Sequence, residues 1–178
     1  TEENAEPGVW HGEGAARLGR SGDVDKDTGA NLLNGILPTG EQVGDPKNRR
    51  LGLDLTFSAP KSVSIMALVA GDTRLIEAHK QAVKAVLTYV EKHHAEARNY
   101  SRNPNGEAEK TGNRVQAIFT HDTSRALDPN LHGHGITMNA TEAPDGKWKA
   151  LWNQEIWKNN TTIGQVYHAV LRNLVEKL

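Results

Sequence analysis

Residues 51–58 read LGLDLTFS, and the hydrophobic positions Leu51, Leu53, Leu55 and Phe57 alternate with Gly52, Asp54 and Thr56. This period of two predicts a half-buried strand with Asp54 on the face away from the leucines. Ser58 then stands as an expected N-cap, Pro60 falls in a first helical turn, and KSVSIMALVAG is predicted to run as a helix to Gly71. From Asp72 the positions Leu75, Ile76, His79, Ala82, Val83, Val86, Leu87 and Val90 recur three and four apart, predicting a long amphipathic helix that ends near Arg98. The turn-rich NYSRNPNGEAEKTGN reads as a connection to a second strand, RVQAIFTH, with Val115, Ala117, Phe119 and His121 on one face. After a turn set by DPN, LHGHGITMNAT is predicted as a third strand carrying His132, His134, Ile136 and Met138 on one face. APDGKW marks a hairpin, and Ile163, Val166, Tyr167, Val170, Leu171, Leu174 and Leu178 mark a terminal helix. The first fifty residues are rich in Gly, Asn and Asp, hold two short helices at GEGAARLG and DKDTGANLLNG, the second stopped at Gly35, and are expected to lie outside the core. This order of elements predicts an α+β fold: a central antiparallel β-sheet with helices packed mainly on one face.

Composition narrows this picture. A chain of 178 residues with 37% hydrophobic and 24% charged residues suits one soluble globular domain, 1–178, and no apolar run approaches the roughly 20 residues that span a bilayer. With no cysteine there are neither disulfides nor thiolate metal sites, which fits a reducing cytoplasm. A formal net charge of −1 argues against generic nucleic-acid binding, so contact with DNA requires local charge. Residues 47–50 (KNRR), Lys61, residues 98–102, Lys110, Arg114 and Arg125 are the candidates. Trp148, Trp152 and Trp157 could stack bases or fill core, with core favoured for Trp148.

The candidate chemistry lies in HDTSRALDPNLHGHG, residues 121–135. Strand residues two apart project from one face about 6.6 Å apart. His132 and His134 can therefore converge on one ion, and a ten-residue connection brings His121 to the same point if the two strands are neighbours. Three neutral imidazoles form an incomplete shell that leaves a position for water or substrate, as a catalytic cation requires. The other five histidines are not so grouped and read as structural or solvated. Asp54 is either a solvated strand residue or a carboxylate that fixes an imidazole tautomer or accepts a proton. Lys61 at a helix start favours phosphate, and Arg125 lies where a guanidinium could reach a phosphate at the metal.

LDLTFSAPKSVS (residues 53–64) and FTHDTSRALDPNLHGHGITMNAT (residues 119–141), with WHGEGAARLG, GDTRLIEAH and DGKWKAL, closely resemble the MobF class of conjugative relaxases. The resemblance implies a histidine-hydrophobic-histidine endonuclease acting on single-stranded plasmid DNA at an origin of transfer. It implies that His121, His132 and His134 hold one divalent cation (Mg, Mn, Zn or a similar ion). Asp54 would assist the nucleophile or orient a metal-bound histidine, and Arg125 would bind DNA near the scissile phosphate. The implied reaction is tyrosyl transesterification, giving a 5′-phosphotyrosine and a 3′-hydroxyl, and reversible for rejoining. Relaxosome and conjugation-coupling proteins would be partners, and the setting is the bacterial cytoplasm with transfer into a recipient cell. The protein is expected to be a monomer without membrane insertion.

Two departures stand out. Gly133 replaces the hydrophobic residue of the motif, and the tyrosine nucleophile expected upstream of Trp10 has no counterpart in TEENAEPGV. Tyr89 and Tyr167 read as helical packing residues and Tyr100 as a loop residue, so none is assigned. The sequence is therefore expected to lack the amino-terminal tyrosine segment and the carboxy-terminal part that closes over DNA. Two rival functions stand beside this one: a three-histidine metal-dependent hydrolase of a small substrate, and a module that binds single-stranded DNA without cutting it.

Overall fold

The computed structural model describes residues 6–47, 52–123 and 126–178. Its centre is a four-stranded sheet in the order β1-β5-β6-β2, formed by β1 (Val9–His11), β5 (Gln116–Thr123), β6 (Pro129–Met138) and β2 (Gly52–Ser58). Every neighbouring pair is antiparallel. The predicted α+β class with a central antiparallel sheet is the observed one.

Alternation in β2 buries Leu53, Leu55 and Phe57 and leaves Asp54, Thr56 and Ser58 exposed. The buried face packs on α4 (Thr73–His94) through Ala82, Val83, Val86, Leu87 and Val90, and on α6 (Asn160–Glu176) through Ile163, Tyr167 and Leu171. The glycines of HGHG belong to this face. A Cβ at Gly133 would stand 3.1 Å from Val83, and one at Gly135 would stand 2.7 Å from Leu87. Helix α4 therefore lies against bare backbone, and a hydrophobic residue between the two histidines would push it away.

The opposite face carries the histidines at one end and a second core at the other. Trp10, Ala15, Leu32, Leu37 and Val43 close over Val115, Ala117, Met138 and Ala140. The first fifty residues thus supply a core, contrary to the expectation that they lie outside it. Their apolar residues are few among Gly, Asn and Asp, yet they converge from α1 (Glu13–Arg17), α2 (Lys26–Leu33) and the following loop. Strand β1, absent from the sequence reading, holds this layer to β5 through Trp10↔Ala117.

Other boundaries also shift. Ser58 does not cap a helix; it stays in β2 opposite His132, while Pro60 takes the N-cap of α3 (Lys61–Leu68) without a side-chain bond. That helix stops at Leu68, short of Gly71, whose φ of 76° starts the next connection. Helix α4 begins as expected behind Asp72, which accepts from the Arg74 amide, but it ends at His94. Residues expected in its last turn form β3 (Glu96–Arg98), which pairs with β4 (Ala108–Lys110) inside the segment read as a plain connection. Pro129 opens β6, where its missing N–H breaks no ladder, and β5 continues past His121 to a Thr123↔Pro129 pair with a shifted register. The predicted hairpin is β7 (Thr141–Glu142) and β8 (Trp148–Lys149), and the short α5 (Gln154–Lys158) precedes α6.

Candidate metal and DNA site

Register brings the three histidines together. His121 lies opposite His132 on neighbouring strands, and His134 lies opposite Thr56 of β2. All three project from the face that α4 does not cover. Their ring centres form a nearly equilateral triangle, 5.2 Å (His121–His132), 5.2 Å (His121–His134) and 5.1 Å (His132–His134). Three imidazoles bound through one nitrogen each at ~2.1 Å from a tetrahedral ion would have ring centres roughly 5.3 Å apart. The spacing fits one small cation.

Hydrogen bonds fix which nitrogens remain for it. The Nδ1 of His132 lies 2.9 Å from the Asn130 carbonyl, which can only accept, so Nδ1 carries the hydrogen. The Nδ1 of His134 donates to Asp54, 3.0 Å from Oδ2 and 3.2 Å from Oδ1, and Thr56 Oγ1 stands 3.1 Å away. Both rings therefore keep the lone pair on Nε2, in the carboxylate- or carbonyl-supported arrangement common around metal-bound histidines. Loss of hydration, then repulsion from His132 and His134, holds the His121 imidazole below its ordinary value, favouring the neutral form that ligation needs. As they stand, no three His, Cys, Asp or Glu side chains among the described residues form a ready-made ligand group. The ring centres have the spacing that one ion requires, and the hydrogen bonds of His132 and His134 leave the Nε2 of each of those two rings unprotonated.

The remaining predicted residues divide. Asp54 is in the cluster, its side chain 49% exposed. Lys61 is at the start of α3, and its Nζ donates to the Pro129 carbonyl at 2.9 Å, so its ammonium sits at the entry of β6 rather than over an empty helix end. Arg125 lies outside the described residues, as do residues 48–50. Arg114 is removed from the DNA-facing candidates: it is fully buried, and burial lowers its guanidinium to about 10 despite the opposing charge of Glu91. Arg98 is stacked 3.5 Å over the Trp152 ring, Trp148 packs on the second core as favoured, and Trp157 is exposed.

Thr56 and the Asn130 carbonyl were missed in the sequence. Thr56 was recoverable, since it shares the face of Asp54 two residues on; its pairing with His134 depends on register. Glu6 was missed as well. It pairs with Lys80 at 2.8 Å and lines a small cavity with Thr120, His121 and Asp122, so the segment leading into β1 passes beside the cluster.

A family model of the TrwC relaxase matches residues 1–178. The chain belongs to the TrwC relaxase family. It is 43% identical over 182 residues to the multifunctional conjugation protein TraI of Escherichia coli, and 42% to that of strain K12. Each alignment covers 95% of this chain and 10% of the relative, so the chain spans about a tenth of those proteins. The conjugative relaxase TrwC in metal-free complex with oriT DNA superposes with a TM-score of 0.89 at 44% identity, over 96% of this chain and 62% of that one. A copper-bound TrwC complex with oriT DNA gives 0.88 at 43%, over 97% and 60%. TrwC with a 27-mer comprising the recognition hairpin and the cleavage site gives 0.88 at 44%, over 96% and 62%. The MobF-type relaxase fold read from the two sequence blocks is thus the family and fold of this chain.

Proposed function

We propose that this relaxase-family domain nicks and rejoins single-stranded DNA at a plasmid origin of transfer, initiating conjugative transfer, by metal-assisted tyrosyl transesterification. The observation that carries the reading is the histidine triangle whose His134 is fixed by Asp54. Residues His121, His132 and His134 would hold one divalent cation through imidazole nitrogen, and a cation there supplies charge stabilisation for the phosphate oxygens. Complexes of the relative TrwC with oriT DNA, one of them copper-bound, support both the substrate and the cation.

Within the chain, Asp54 is a positioning residue: its carboxylate accepts the His134 Nδ1–H and keeps Nε2 turned outward. Lys61 and Arg125 are assigned to the DNA backbone near the scissile phosphate. In the reaction a tyrosine oxygen bonds to phosphorus as the bond to the 3′ oxygen breaks, and the phenolic proton ends on that oxygen. The nucleophile is assigned to a tyrosine upstream of Trp10. Tyr167 is 1% exposed with its hydroxyl 2.6 Å from His79 Nδ1, Tyr89 packs on the first core, and Tyr100 belongs to the turn after β3. Glu6 beside His121 supports an approach of that upstream segment to the cluster.

The test is cation content and adduct formation. Wild-type protein is expected to retain one Mn or Zn ion per chain by mass spectrometry, and a longer form including the upstream tyrosine to form a covalent adduct with single-stranded origin DNA. Absence of both would refute the reading; cation retention with noncovalent DNA binding alone would leave the non-cleaving module.

A further inference from the structure

Residues 129–131, the three before His132, are held at three points by the chain that leaves β2. The Ala59 amide donates to the Leu131 carbonyl at 2.9 Å, the Lys61 ammonium donates to the Pro129 carbonyl at 2.9 Å, and the Leu131 amide donates to Ser64 Oγ at 3.0 Å. Strand β2 ends at Ser58 and turns into α3, so the Ser64 hydroxyl supplies the acceptor that a further strand residue would otherwise offer. On the other side of β6 the pairing with β5 is irregular, its register shifting between His121 and Thr123.

Packing alone would not choose serine at this position. Ser64 and Ala67 are the buried residues of α3, one turn apart and 1% and 3% exposed. Alanine is the better helix former, and a buried hydroxyl is costly unless it is hydrogen-bonded. What serine offers and alanine cannot is an acceptor for the Leu131 N–H. That N–H belongs to the same peptide unit as the Asn130 carbonyl, the group that accepts from His132 Nδ1 at 2.9 Å. A trans peptide unit is planar, with its N–H and C=O pointing in opposite directions, so fixing one fixes the other. Donation from the N–H also polarises the unit and strengthens its carbonyl as an acceptor.

We infer that Ser64 is a positioning residue for the cation site: through the rigid Asn130–Leu131 peptide it holds the Asn130 carbonyl against His132 Nδ1, which leaves Nε2 of that ring unprotonated for a cation. The two histidines of β6 are thus supported by different means. The Asp54 carboxylate supports His134 directly, whereas a serine acting through one peptide group supports His132. The inference rests on the cation-site reading above and adds to it a residue of α3 that touches neither the ion nor the ring.

Two measurements test it: long-range proton–nitrogen correlation spectra of the imidazoles in the cation-free protein, at a pH where they are neutral, and titration with Zn alone against a chromophoric chelator. In the wild type, His132, assigned by the signal lost in His132→Ala, is expected in the Nδ1–H form, and the Leu131 amide is expected to exchange slowly with solvent. Ser64→Ala is expected to give His132 a mixture of both tautomers, to leave the His134 pattern unchanged and to weaken Zn binding about tenfold. Val63→Ala, a packing change beside Ser64 in the same helix, should lower the urea midpoint while leaving Zn affinity unchanged. Either an unchanged His132 pattern or an unchanged Zn affinity in Ser64→Ala would overturn the inference, as would a rapidly exchanging Leu131 amide in the wild type. Disturbance of His132 and His134 together, or an equal affinity loss in Val63→Ala, would reduce Ser64 to a packing residue and overturn it too. Wild-type protein that bound no Zn would remove the cation reading itself, while the tautomer spectra would still decide whether Ser64 orients His132.

Discussion

The two ends of one sheet face have opposite fates. Toward Met138 the face is apolar, and Trp10, Leu32, Leu37 and Val43 seal it into a core. Toward His132 the same strands carry imidazoles, a carboxylate and a hydroxyl, and nothing from the described residues closes over them in the same way. The face behind both ends is uniform: α4 presses so closely that Gly133 and Gly135 leave no room for side chains. A rigid, continuously packed back and a half-open front are what a reactive centre on a strand requires, because the ligand positions are then set by backbone register rather than by loops.

The comparison can be broken most severely at the open end. His132→Ala and His134→Ala are each expected to lose cation retention, measured by metal content after gel filtration, with little change in unfolding midpoint. Unchanged content in both would refute the assignment. At the sealed end Trp10→Ala should cost about 3–5 kcal/mol in urea unfolding, as for other buried large-to-small aromatic changes, while cation content of the folded fraction is preserved. A loss of both together would show that the two ends are not independent.

The packed back carries a pH dependence. Burial lowers His79 from 6.5 to about 4, so it is neutral in the fold while the unfolded chain takes up a proton below about 6.5. Its contribution is therefore fully present above pH 6.5 and is lost as pH falls toward 4, roughly 3 kcal/mol in all. Urea midpoints measured from pH 7.5 to 4.5 should fall more steeply for wild type than for His79→Gln, and equal slopes would contradict the assignment. Smaller again, Asp54→Asn should weaken cation affinity by about 10- to 100-fold through loss of His134 support, read by calorimetric titration. Gly135→Ala, which sets a methyl against the mobile end of Leu87, should cost about 1 kcal/mol with cation binding intact.

Much of this division was legible in the sequence, for reasons that particular residues make plain. The alternation from Leu53 to Phe57 and the pair His132/His134 assign faces directly, since strand period is fixed by geometry. The period of α4 from Leu75 to Val90 is equally direct. Sequence alone could not supply register, and so could not join Thr56 to His134 or Glu6 to His121. It also concealed the sealed end, because Trp10, Leu37 and Val43 share no period and meet only after the chain has turned several times.

The central claim is that three imidazoles converge on one cation at the open end of the sheet. X-ray absorption on the Zn-loaded protein tests it most directly. The account predicts imidazole back-scattering with about three nitrogen neighbours at roughly 2.0–2.1 Å, reduced in His134→Ala; a first shell of oxygen only, unaltered by that substitution, would contradict it.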